Sequence, residues 1–265
     1  MAVASAVAAV NRIVRILFES ARMQARLVLH HPILPVGTVI QPAAFLLIVL
    51  SRDHPATRAQ TTSILIAVVL TSLWGASLWT SGSILRREIA EGTLARSMTS
   101  LSDARLVVIG KCAGATVVTF GLLLVTAIVM AAVLRVRIGL GDLADVFVGL
   151  VLVAVSGIAL GYLFSGIFVI TRYAQHWTAA LTYPVYILAG LMIPVAMLPA
   201  LARWPSALIS LYWAHQFLAA AADGDFDGGS LVAALALTAV YAIAGGIVFM
   251  RLIDRARRKG TLDLV

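Results

Sequence analysis

The chain has 265 residues, of which 61% are hydrophobic and 12% charged, and its formal net charge is +8. Soluble domains average about 45–50% apolar and about 25% charged residues, so this chain has too few charges to cover a water-facing surface. A soluble domain, a disordered chain and a disulfide scaffold are excluded, the last because Cys112 is the single cysteine. The mean hydropathy of +1.00 agrees. The basic excess reads as a topological signal and not as a nucleic-acid surface. What remains is an all-α membrane protein, because the apolar runs are continuous over about 20 residues, whereas barrel strands alternate over about 10.

Residues 1–31 form a first unit. Arg12, Arg15, Glu19, Arg22 and Arg26 make one polar stripe on a helix, with Ile13, Val14, Leu17, Phe18, Ala21, Ala25 and Val28 on the opposite side. The pattern predicts an amphipathic cytoplasmic helix lying in the membrane interface, its arginines toward anionic lipid or a partner. It lacks the continuous apolar core of a cleavable signal, and His30-His31-Pro32 ends it.

Residues 32–265 read as a transmembrane unit of six spans, Ile33–Leu50, Thr61–Leu85, Leu106–Leu134, Val146–Ile170, Trp177–Leu198 and Ser230–Ile253. With the N-terminus inside, 15 Lys and Arg fall in cytoplasmic segments and 5 outside, which predicts that both termini are cytoplasmic. The loop 86–105 is then long, polar and cytoplasmic. Segment 199–229 is external, ends in a run rich in Gly and Asp, and reads as short amphipathic helices with Trp204, Tyr212, Trp213 and Phe217 at interface height.

The middles of the spans contain no Asp, Glu, His or Arg, and Lys111, one turn inside the third, is expected to snorkel to the cytoplasmic surface. No catalytic constellation, metal-ligand spacing or Gly-rich phosphate loop is visible. A chain without a buried proton carrier or its own nucleotide site must borrow energy from another chain. The grip for that partner is the loop 86–105.

That loop carries a resemblance. Glu88-Ile89-Ala90-Glu91-Gly92-Thr93-Leu94, followed by Ser100–Arg105 and Gly110-Lys111, resembles the cytoplasmic loop of ATP-binding-cassette type-2 transporter permeases. Gly190-Leu191-Met192-Ile193-Pro194, Leu198-Pro199 and Trp204, ending at Tyr212–Leu218, resemble the family's fifth span and external re-entrant helices. The resemblance covers essentially the whole chain. It implies the permease subunit of an ATP-driven exporter in a bacterial cytoplasmic membrane, with no catalytic site, metal or cofactor of its own. Two cytoplasmic ATP-binding subunits would use ATP and Mg. A second permease, identical or homologous, would complete the route for an amphipathic, drug-like or lipid-like cargo.

By the same resemblance the loop is a coupling element. Glu88 and Glu91 lie one turn apart and can pair with a partner's basic groups, Gly92 permits a bend, and Thr93 and Leu94 supply a cap and an apolar knob. The resemblance also assigns the second and fifth spans to the route. There Trp74, Ser77 and Ser81 share a helical face, and Tyr183, Tyr186 and Met192 follow in the fifth span around Pro184. Helix packing is the alternative for each of these six. Gly110-x-x-x-Gly114 and Gly157-x-x-x-Gly161 permit close helix contact, although spans this rich in glycine produce such spacings by chance. Two other functions remain open at this stage: a gradient-driven secondary transporter, and a lipid-modifying enzyme built around Asp223, Asp225, Asp227 and His215.

Overall fold

The computed structural model describes residues 2–31, 36–50, 57–92, 103–135, 139, 141–171, 174–192 and 197–259. Among them there is no strand. The helices are α1 (Ala2–Leu29), α2 (Gln41–Leu50), α3 (Arg58–Ala76), α4 (Ile84–Ala90), α5 (Ala104–Val133), α6 (Leu143–Ile170), α7 (Ala174–Leu188), α8 (Ala200–Ser206), α9 (Ser210–Asp223) and α10 (Gly228–Lys259). Local chemistry sets several starts. Thr57 and Gln60 form a reciprocal capping box at α3, and the carboxylates of Asp103 and Asp142 accept the Arg105 and Ala144 amides at α5 and α6.

Four continuous helical runs are long and apolar enough to cross a membrane: Arg58–Ala90, Ala104–Val133, Leu143–Ile170 and Gly228–Arg255. They match the predicted second, third, fourth and sixth spans. The predicted first span is represented by a π-helical turn, Val36–Ile40, followed by α2, and its apolar helix runs only from Gly37 to Ile48. The fifth is also shorter than the expected Trp177–Leu198, since α7 stops at Leu188. Gly190 has φ +73°, and the Ala189, Gly190 and Leu191 amides fold back onto the Val185, Ile187 and Tyr186 carbonyls. Left-handed backbone of this kind ends a helix and favours glycine, so hydropathy alone overstates the length.

Between α3 and α4 the chain does not break. Ser77–Ser81 form a π-helical segment in which the Gly82 amide donates to the Ser77 carbonyl, five residues back, at 2.9 Å. The wide turn is seated on α6, where Gly157 faces Ser77 and Gly161 lies against Ser81. On α5, Gly110 meets the backbone of Leu17 and Gly114 that of Ala21. Both Gly-x-x-x-Gly spacings are therefore real helix seats.

Leu17 to Ala21 and Gly110 to Gly114 each advance by one turn, so α1 runs beside α5 there, in the same direction. Its seated face is Leu17, Ser20, Ala21, Gln24 and Val28, while Ile13, Val14 and Phe18 of the predicted apolar side stay exposed. Small residues win the helix contact because they allow the backbones to approach. The attachment of α1 is thus to α5 and not to lipid alone. Arg12, Arg15, Glu19, Arg22 and Arg26 lie exposed on the other side.

The helix α9 is also more enclosed than an interface helix. It packs between α3, α6 and α10, and Phe217 is fully buried instead of standing at interface height. Trp204 of α8 is 81% exposed. Two apolar clusters hold the bundle. One joins α3, α5, α6, α7 and α9, and the other gathers Val28, Leu85, Cys112, Tyr162 and Phe249 around the α4–α5 end.

Candidate functional site

The α4–α5 end holds an ionic site inside an apolar shell. Glu88 is the fifth residue of α4 and Lys111 lies two turns into α5, and the Lys111 ammonium donates to Glu88 Oε1. Both side chains are 10% exposed. Ile84, Leu85, Val108 and Cys112 of the same two helices belong to one apolar cluster with Val28, Tyr162, Phe249 and Leu252 of α1, α6 and α10. A charge buried this way is stable only while its partner stays, because neither ion can be rehydrated without opening the cluster. Lys111 therefore does not snorkel to the surface. Its nearer partner is a carboxylate 23 residues away in sequence.

The pair stands at the root of the segment singled out as the coupling loop. The segment is helical at its start, since α4 continues to Ala90 before Glu91 and Gly92 turn, Gly92 at φ +67°. Glu88 and Glu91 thus part company: Glu88 is turned into the protein, whereas Glu91 and Gly92 are exposed. Thr93, Leu94 and the rest of 93–102 lie outside the described residues. Neighbouring arginines secure the same root. Arg86 Nη1 donates to the Thr171 carbonyl at 2.7 Å and the Phe168 carbonyl at 3.4 Å, at the end of α6, where unpaired carbonyls attract a cation. Arg87 donates to the Ser83 hydroxyl at 2.7 Å and to the carbonyls of Trp79 and Thr80, which ties α4 to the π segment.

The six residues proposed to line a route do not gather on one open surface. Trp74, Ser77 and Ser81 are buried among α3, α5, α6 and α9, and Ser81 Oγ lies 3.4 Å from Thr116 Oγ1. Tyr186 is buried beside Gly75 of α3, while Tyr183 is 66% and Met192 44% exposed. A separate cleft of about 970 Å³ opens between α2, α3 and α9. Phe45, Ile64, Val68 and Met192 make its apolar wall, and Ser63, Arg203, His215 and Gln216 supply polar groups. His215 Nε2 lies 3.3 Å from Ser63 Oγ. The sequence grouped His215 with Asp223, Asp225 and Asp227, and no local signal pairs it with Ser63 across 152 positions. Among the described residues, no three His, Cys, Asp or Glu side chains are grouped to hold a metal ion.

The family model for the ABC-2 type transporter matches residues 20–222, from the middle of α1 to the end of α9. The chain belongs to the ABC-2 type transporter family. Comparison with curated proteins gives no match. As an ABC-2 permease it is a transport subunit of an ABC transporter, a class that works with ATP-binding partners. The match includes the whole of 86–105, so the buried Glu88–Lys111 pair and the exposed Glu91 of this permease lie inside the family region.

Proposed function

We propose that this permease is the membrane subunit of an ATP-driven exporter and that a separate ATPase subunit drives it by pushing on residues 86–105. The observation that carries the reading is the Glu88–Lys111 pair. It ties both ends of that segment to one buried cluster, so a displacement of the segment is delivered to the second and third spans together. Glu91 and Gly92 are exposed, and Glu91 supplies the charge that meets the partner; Thr93 and Leu94 belong to the same coupling set by the resemblance.

In this reading the two shorter apolar helices complete six crossings, both termini are cytoplasmic, and 199–229 is external. The 15-to-5 distribution of basic residues supports that orientation. Arg12, Arg15, Arg22 and Arg26 face anionic headgroups. Two ATP-binding subunits, which use ATP and Mg, and a second permease, identical or homologous, complete the assembly. The cargo is amphipathic, drug-like or lipid-like, and Tyr183 and Met192 are the exposed members of the route set.

The test is reconstitution with the cognate ATPase in vesicles. Replacing exposed Glu91 by Lys, with the buried pair intact, should leave insertion unchanged while ATP hydrolysis no longer drives cargo movement. Normal nucleotide-driven export in that variant would remove the coupling assignment. A reporter at Gly224 found on the cytoplasmic side would overturn the orientation.

A further inference from the structure

A second polar site lies at the centre of the bundle, away from the Glu88–Lys111 pair. Trp74 and Ser77 are 6% and 3% exposed, and Trp74 Nε1 and Ser77 Oγ are each buried without a hydrogen-bond partner among the described residues. Both residues line the same small cavity among α3, α6 and α9, together with Ser156 and Gly157. A Cβ at Gly157 would stand 3.4 Å from Ser77 Oγ, so that hydroxyl lies against the α6 wall. On that wall Ser156 Oγ is 2.8 Å from Ser210 Oγ, and the Ser210 amide donates to Tyr241 Oη at 3.3 Å. Tyr241 in turn donates to the Leu208 carbonyl at 2.8 Å.

Size and chemistry together select the occupant. The space open to a water-sized sphere is about 10 Å³. That is about the lower limit for one water molecule and far below any organic cargo. An indole N–H can only donate, whereas a hydroxyl both donates and accepts. A single molecule that accepts from Trp74 and exchanges hydrogen bonds with Ser77 and Ser156 has the two to four partners that a buried water requires. The remaining walls, Leu70, Leu73, Val153, Leu160 and Leu211, are apolar and offer nothing to a second one.

We infer that one ordered water is bound between Trp74 Nε1, Ser77 Oγ and Ser156 Oγ, where the π-helical segment of the second span begins. It joins the indole and the first π residue to the Ser156–Ser210–Tyr241 chain, so that α3, α6, α9 and α10 share one polar network. This places Trp74 and Ser77 in a hydrated core site and not on a cargo-lining surface. The inference does not depend on the direction of transport or on the coupling assignment.

The experiment uses the full chain in lipid nanodiscs. Brief X-ray radiolysis converts bound water to hydroxyl radicals in place, and mass spectrometry reads which side chains are labelled. The expected result is labelling of Trp74 despite its burial, with Phe217, which is equally enclosed but has no polar neighbour in this cavity, unlabelled. An unlabelled Trp74 overturns the proposal. The second readout is thermal unfolding followed through the only thiol, Cys112, which is fully buried until the bundle opens. If the site is hydrated, Ser77→Ala removes a water ligand and the melting temperature falls by about 2–4 °C. If it is dry, the same change removes an unpaired hydroxyl and the temperature rises, which overturns the proposal.

Discussion

Gly114 of α5 lies directly against the backbone of Ala21 in α1, with no room for a β-carbon between them. Gly110 repeats the contact one turn earlier, at Leu17 and Ser20. The amphipathic helix is thereby keyed to α5 at two successive turns. Its basic stripe is presented by the bundle and not by a loose arm.

This seat makes a contrast between glycines testable. Gly114→Val forces the helices apart and should cost about 1–3 kcal/mol or more, as overpacking does. Because Val28 of α1 and Cys112 share one cluster, a thiol-reactive dye should reach Cys112 at a lower temperature in that variant. Gly121→Ala is the control: apart from its own stretch of helix backbone, no described atom lies within 4 Å of the new methyl group, and a mid-helix Gly→Ala change stabilises by up to about 1 kcal/mol. Equal melting of the two variants would contradict the docking of α1.

The buried ion pair predicts a non-additive series. Glu88→Leu alone strands the Lys111 ammonium in an apolar cluster and should destabilise by about 3–5 kcal/mol, and Lys111→Met alone takes the ammonium from Glu88 and should also destabilise. The combined change Glu88→Leu with Lys111→Met leaves no charge behind and should recover most of that loss. A double variant as unstable as the sum of its parts would show that the two residues do not act as a pair.

His215 predicts an acid-side weakness. Burial holds its imidazole below the ordinary value of 6.5 and outweighs the Ser63 backbone contact, which acts in the opposite direction. The folded state therefore binds this proton more weakly than the unfolded chain. The contribution is complete above about pH 6.5 and is lost as the pH falls from there toward the lowered folded pKa. Asp227, which lines the same cleft, stays charged across this interval, because hydrogen bonds from Ser230 hold its carboxyl below the ordinary value. The wild-type melting temperature should drop between about pH 7 and pH 5.5, and His215→Gln should flatten that part of the profile. Superimposable profiles would count against the assignment.

Gly190 predicts the cost of lengthening α7. At φ +73° an alanine carries a steric penalty of about 1–2 kcal/mol. Gly190→Ala should lower the melting temperature measurably, while Ala189, at right-handed or extended geometry, should tolerate Gly with a smaller loss. If Gly190→Ala were neutral, the turn that shortens the fifth apolar segment would be in question.

Features that are local or compositional are legible from the residue order alone. Too few charges and long apolar runs settle the all-helical membrane class, and the four longest predicted spans emerge as the four helical runs long and apolar enough to cross a membrane. The caps at Thr57, Asp103 and Asp142 are equally local, since a capping side chain acts within three residues of itself, but the apolar pattern places the spans without them. The arginine stripe of α1 follows from a 3.6-residue period and is exposed as that period implies.

Which face meets which neighbour is set by the packing of the whole bundle. Periodicity located Lys111 one turn inside a span, and a long side chain there can reach either the surface or a buried acid. The choice of Glu88 depends on α4 and α5 sharing one cluster with α6 and α10. The same holds for Phe217, whose aromatic ring suits an interface or a core equally and is taken into the core by α9 packing. Trp74, Ser77 and Ser81 share a face on an ideal helix, but the π turn at Ser77–Ser81 and the glycines of α6 turn that face inward. Such outcomes rest on contacts between residues far apart in the chain, and a local pattern carries the shape of a surface without naming what will cover it.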